Sequence, residues 1–395
     1  MGLISWIERS AAGRAHVLVI EAPGHWQTRA AVERAALARG WRLASSPADA
    51  DVLAVCGRPG PQLEALIDRV WEQIPDPRVR VDVHQLDDVA ARLGEARTAL
   101  LDTVHLRQGA RSRPTSAPEA SSDSADGQMD HGEMGHGEMG HGEMGHGEMD
   151  HGEMDHGQMG HGEMDHGEMD MSPSGIPLAG SGEDRDGMEM DVLHVPLGPV
   201  LPHWPAGLVV RCALQGDVIT EATAELLDDV TTQATGRIVM QQQAPSAVRA
   251  RRLDNVVGLL ALAGWDDAAS QARLTRDAVL ADGTDDSRSV AALARLDRRI
   301  RRSRILRWSL RGIRPLDAAD LQRQGLPASF LGDTYDRLVR MVDGLKTDAA
   351  SGPVSPHQLP GLITGLDLAT ARLVLASLDL HQLSPDRTAT EVVDG

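Results

Sequence analysis

Along the first hundred residues, short apolar runs alternate with segments whose apolar positions recur every three or four residues. Ala15–Ile20 (AHVLVI) reads as a buried strand that ends near Pro23-Gly24. Thr28–Arg39 carries Ala, Val and Leu at helical spacing and closes at Gly40, a helix-ending glycine. Trp41–Ala44 predicts a second strand. Asp51–Cys56 (DVLAVC) predicts a third, apolar on both faces as a covered parallel strand should be. Pro61–Gln73 is an amphipathic helix stopped by Pro75 and Pro77, Val79–Val83 a fourth strand, and Leu86–Leu93 a short helix. This alternation predicts an α/β domain with a doubly wound parallel sheet over residues 1–106.

The periodicity then stops. Arg107–Ser181 is rich in Ser, Pro, Gly, Asp, Glu and Met, so it cannot bury enough surface to offset its chain entropy. Residues 107–190 are therefore expected to be a disordered linker. Patterning resumes near Asp191, where Val192–Val195 and Gly207–Leu214 predict strands with Gly216-Asp217 as a turn. Helical spacing follows in Ala247–Ala263, Asp266–Leu280, Ser289–Arg307, Tyr335–Leu345 and Leu366–Leu378. The expected second domain, 191–395, is α+β and mostly helical.

Composition narrows the picture. A length of 395 residues suits two domains and a linker, and 41% hydrophobic residues allow sizeable cores. Aromatic residues are 2%, with one Phe and one Tyr, so those cores must be built from Leu, Val, Ile and Ala. Arg greatly outnumbers Lys, with Lys346 alone, which reads as base-composition bias. A net charge of −19 argues against nucleic acid as a partner, because phosphate recognition needs positive charge. Two cysteines, Cys56 and Cys212, are too few for a disulfide framework, a four-cysteine zinc site or an iron–sulfur cluster. Met1–Arg14 lacks the basic and apolar regions of a secretory signal, and no stretch approaches a transmembrane span. The expected compartment is cytoplasmic, with a peripheral position on the inner face of the cell membrane left open.

The chemistry is concentrated in the linker. Between Asp130 and Met169 the unit [Asp/Gly]-His-Gly-[Glu/Gln]-Met repeats eight times without a gap. It places His131, His136, His141, His146, His151, His156, His161 and His166 at a period of five. Met129, Met134, Met139, Met144, Met149, Met154, Met159, Met164 and Met169 keep the same period, and Met171 follows. Four Asp and seven Glu with no Lys or Arg make this stretch −11 of the total −19. A period of five matches neither helix nor strand, so no regular element would gather these side chains on one face. Thioether sulfur is soft and selects Cu(I), whereas imidazole suits copper, nickel and zinc. Nickel or zinc storage would need only His and carboxylates, so the ten Met tilt the reading to copper. An inert spacer made by a slippage-prone DNA repeat is the alternative, but a neutral spacer would drift to Ser, Pro and Gly. Met188 and Met190 lie near enough to extend the array. The units resemble the Met/His repeats of bacterial copper-resistance proteins and short His-rich metal-storage tails.

The flanks carry a second resemblance. Ser46–Val81 contains Ala50-Asp51-Val52, Gly57, Val70-Trp71 and Gln73-Ile74-Pro75-Asp76-Pro77-Arg78. It resembles the cluster-bearing small subunit of respiratory complex I (NADH:quinone oxidoreductase) and NiFe hydrogenases. The second domain resembles the large partner subunit of those complexes. It does so through Gly198-Pro199, Pro202 and Gly216-Asp217, then Arg311-Gly312-Ile313, Ala318–Gly325, Tyr335-Asp336-Arg337 and Leu359–Leu378. The departures bear on function. Where the small subunit has a Gly-Ser-Cys ligand, this chain has Val81-Asp82-Val83-His84, and the cysteine pair near the family's N-terminus is missing. Cys56 reads as a small buried hydrophobe and Cys212 as an isolated strand residue. Aligned from Gly198, the loop histidine that lines the quinone site in the family falls on Pro205. His203 is the nearby candidate to replace it, with a solvent-facing loop position as its ordinary reading.

The resemblance implies a fused, degenerate small and large subunit, without an iron–sulfur cluster. Its expected role is a non-catalytic adaptor that partners membrane subunits of a complex I-like assembly. A quinone-oxidoreductase-type electron-transfer subunit and a copper buffer are the alternatives. Arg295–Arg307 (RLDRRIRRSRILR) reads as the solvated face of a helix, or as a dock for an acidic partner or a membrane surface.

Overall fold

A computed structural model describes residues 13–102, 104, 106, 108, 111, 180–183, 189–227, 245–282, 287–347 and 354–380. The Met129–Met171 array, with every metal ligand named above, lies outside the described residues, as does most of the expected linker.

The N-terminal alternation folds into β1 (His16–Glu21), α1 (Trp26–Ala38), β2 (Arg42–Leu43), β3 (Val52–Cys56), α2 (Pro61–Gln73), β4 (Val79–Val83) and α3 (Val89–Leu101). The strands form one parallel sheet in the order β2-β1-β3-β4. The pleat separates two cores. Val17, Val52, Ala54, Cys56, Val81 and Val83 pack against Val32 and Ala36 of α1 and Leu93 and Ala96 of α3. On the opposite face Leu18, Ile20, Leu53 and Val55 pack against Leu63, Ile67 and Val70 of α2. Central β3 is buried along its whole length, as its unbroken apolar run requires. Helix α3 follows a short turn at Leu86–Asp88 and runs beyond the expected end at Leu93. It passes through Gly94, where a side chain would meet nothing, to bury Ala96.

The second part opens with an antiparallel sheet, β5 (Gly180–Glu183), β6 (Glu189–Leu197), β7 (Leu208–Gln215) and β8 (Val218–Leu226), in that order. The expected turn is present, with Gly216 at φ 61°. The sheet reaches back to Gly180, inside the segment expected to be linker. Gly-Ser-Gly-Glu has no apolar alternation, so its pairing to β6 rests on backbone hydrogen bonds that side-chain patterning does not report. Met190 accordingly lies in β6.

Eight helices complete the described residues: α4 (Pro245–Leu262), α5 (Asp266–Asp282), α6 (Ser287–Arg302), α7 (Arg304–Leu310), α8 (Ala318–Gln324), α9 (Thr334–Thr347), α10 (Pro360–Ile363) and α11 (Leu368–Ser377). The single helix expected over Ser289–Arg307 is two. Ser303 leaves helical geometry at ψ 109°, and its hydroxyl accepts from the Leu306 amide at 3.1 Å to cap α7. Leu and Val of α4, α5, α6 and α9 form one core, and β6–β8 pack on α10 and α11 to form another. Trp26 and Ala30 of α1 join the helical core, so the parallel sheet and the helices belong to one compact unit. No described helix is long and apolar enough to cross a membrane.

Candidate functional site

Helix α1 turns two faces in different directions. Its apolar face covers the sheet, while Arg29 and Glu33, one turn apart, face α4 and α5. Arg29 donates to Glu21 at 2.6 Å from β1, to Glu33 and to Asp254 of α4. Arg276 of α5, fully buried, donates to Glu33 at 2.9 Å and to Asp254 at 2.7 Å. Arg251 adds longer contacts to Glu21 (3.7 Å) and Asp254 (3.6 Å), and lies 5.5 Å from the Trp26 ring centre. Burial alone would raise the Glu33 carboxyl, but Arg29 and Arg276 more than offset it and hold its pKa down to about 2. Asp254 is lowered for the same reasons. The Glu33 and Asp254 carboxyls are thus ionised at neutral pH, and the network joins the parallel sheet to the helical part.

A cleft opens beside this network between β1, α4 and the loop from Pro199 to Ala206. The loop's shape is set at its base. Gly198 has φ 83°, and the Gly198-Pro199 bond is cis. The Trp204 indole lies across Gly198 and donates to the Leu208 carbonyl at 2.8 Å, so a Cβ at 198 would collide with Nε1. A Cβ at Gly207 would press on Pro23, at 2.8 Å from its Cγ, which brings the loop against the strand end after β1.

His203 stands in this loop at φ 58°, accessible to solvent through the cleft and next to Gly258 of α4. The surrounding protein mass, with Arg273 adding its charge, lowers its pKa to about 4. It is thus a neutral imidazole at pH 7, able to donate one hydrogen bond and accept another. Leu18, Ile20, Val200, Leu201, Leu375 and Leu380 supply apolar walls. Because Arg29 and Arg251 already face carboxylates, the cleft suits an uncharged, partly apolar molecule better than an anion.

The sequence reading and the structure meet at some positions and part at others. His203 is an exposed loop residue, as its ordinary reading has it, and it also lines the cleft. Pro205 lines the same cleft. Cys56 and Cys212 are buried in separate sheets, at 0% and 2% exposure. Burial raises both thiols, Cys212 to about 11 and Cys56 further. The ion network was not foreseen. Glu33 and Arg276 are charges on amphipathic helices, and nothing in their local sequence marks them as buried. Among the described residues, no group of three or more His, Cys, Asp and Glu is arranged to hold a metal ion.

No protein-family model matches the chain, and no curated protein matches it either.

Proposed function

We propose that this chain is a non-catalytic adaptor of a complex I-like membrane assembly, carrying a copper-binding Met/His segment between its two parts. One observation carries the reading: the buried Arg29–Glu33–Asp254–Arg276 network fastens the N-terminal parallel sheet to the helical part. A fusion whose halves are locked by their own charges is suited to presenting a fixed surface to partners. Both cysteines serve as packed strand residues, which fits a scaffold better than an electron carrier. The doubly wound character of the N-terminal domain belongs to the same reading.

The array's donor set fits copper on chemical grounds, with Met sulfur and His nitrogen for the soft ion and carboxylates lowering the charge of the assembly. Nickel or zinc would be held by His and carboxylates alone. If the segment were the whole purpose, the chain would be a copper buffer and its flanks would only dock it.

A second reading, an electron-transfer subunit of the quinone-oxidoreductase type, is favoured by the cleft between sheet and helices with His203 at its wall. Mild detergent extraction through a tag on this chain tests the proposal. An adaptor brings membrane subunits with it, and still does so after deletion of residues 129–171. Recovery of the chain alone would overturn the adaptor reading. Iron and acid-labile sulfide held by this chain would favour the second.

A further inference from the structure

The break at Ser303 starts a short helix, α7, that packs on the core by one face only. On α7, at about 100° per residue, Leu306 and Leu310 point into the core and Trp308 lies about 180° from their mean direction. Trp308 is 83% exposed and Ile305 beside it 80%, the two most exposed large hydrophobic side chains among the described residues. An aromatic ring held out in water on a rigid, capped turn is a cost to a lone globule.

The surroundings are basic. Residues 295–311 contain eight Arg and one Asp, in a chain of net charge −19. Arg301 is occupied by Asp297 and Asp343, each at 2.5 Å, and Arg307 lies over the Tyr335 ring at 5.7 Å. Arg295, Arg298, Arg302, Arg304 and Arg311 are exposed and have no carboxylate partner among the described residues. An exposed Trp and Ile in a stretch of exposed arginines match an interface with anionic headgroups outside and hydrocarbon just beneath. Trp settles at the headgroup level, and arginines beside it face lipid phosphates. An acidic protein surface would satisfy the arginines but would not account for the two apolar side chains.

We propose that α7 and the end of α6 form a peripheral docking surface for an anionic lipid bilayer, with Trp308 and Ile305 inserted and Arg298, Arg302 and Arg304 against headgroups. This does not depend on the adaptor reading, because lipid alone tests it. The full-length protein is sedimented with vesicles of phosphatidylcholine, with and without phosphatidylglycerol. Binding should require phosphatidylglycerol and weaken as salt rises. The overall negative charge would repel such vesicles, so their preference must come from a local basic surface. Trp308→Ser with Ile305→Ser, and separately Arg302→Glu with Arg304→Glu, should each weaken binding by more than about tenfold. All four side chains are exposed, so circular dichroism should be unchanged. Absence of binding to phosphatidylglycerol vesicles would overturn the proposal in favour of a protein partner. Equal binding by both variants would overturn it too, as would self-association of the native chain that the Trp308 variant abolishes.

Discussion

Arg276 and Glu33 are 243 positions apart in the sequence, and their side chains meet at 2.9 Å, both buried. Neither charge is solvated, so each depends on its partners in the network, Glu33 on Arg29 and Arg276, and Arg276 on Glu33 and Asp254. Breaking a buried pair from one side leaves an uncompensated ion, which costs about 3–5 kcal/mol. Glu33→Leu should therefore lower the urea midpoint sharply. Adding Arg276→Met to it should recover much of the loss. If the double variant is no more stable than the single one, the two charges are not coupled.

Acid should release the same contact. The Glu33 pKa is lowered to about 2 in the folded chain, so its stabilisation is present above its ordinary carboxylate range and is lost as pH falls toward 2. Asp254 is lowered as well and acts in the same direction. His203 titrates higher: with a folded pKa near 4, the unfolded chain takes up the proton first, and stability drains as pH falls from about 6.5 to 4. His203→Gln should flatten the stability curve in that upper window and leave the lower one intact. An unchanged curve between pH 6.5 and 4 would show that the cleft does not lower the His203 pKa.

Cysteine chemistry gives a third expectation. With both thiols buried and raised, a disulfide reagent should label neither Cys56 nor Cys212 in the native protein and both in denaturant. Anaerobic reconstitution should leave no visible iron–sulfur absorption. Rapid native labelling would contradict the packing, and a stoichiometric cluster would contradict the adaptor reading.

The Met/His array can be tested apart from the fold. A peptide spanning Met129–Met171 should bind several Cu(I) ions, and replacing its ten Met by Leu should cut Cu(I) capacity or affinity. Ni(II) and Zn(II) binding should hardly change. Below about pH 6.5 the His contribution should weaken while the sulfur contribution persists. If the Met-free peptide retains as much Cu(I), a His-based nickel or zinc store replaces copper.

Limited proteolysis addresses the join. Cleavage within Arg107–Ser181 should yield two fragments that remain together on a sizing column, held by Arg29, Glu33, Asp254 and Arg276. Raising salt should not separate them, because Debye screening acts weakly on buried pairs. Separation at ordinary salt would remove the main support for the adaptor reading.

The parallel sheet was legible because Asp51–Cys56 and its neighbours have the unbroken apolar runs that only covered strands tolerate. The α5 and α9 helices were legible from spacing. Strand β5 was not, since its ladder is made of backbone atoms and Gly180–Glu183 carries no apolar code. The division at Ser303 was hidden inside a continuous charge pattern, because a cap is a property of one hydroxyl and one amide. Least legible was the ion network. Its members are ordinary surface residues in one dimension and become an interior only when α1 meets α4 and α5. His203 lay between these cases: its neighbourhood in the Gly198–Gly207 loop could be read, its orientation could not.

The contact between Arg29 and Asp254 has a consequence for copy number. It closes the chain into a loop of over two hundred residues, and the repeats lie inside that loop. Loop-closure entropy rises so slowly that doubling such a loop costs only about 0.6 kcal/mol. Five residues more or fewer change almost nothing. The number of His-Gly-Glu-Met units is therefore free to drift while the folded parts keep their stability, and on the copper reading the ion capacity would drift with it.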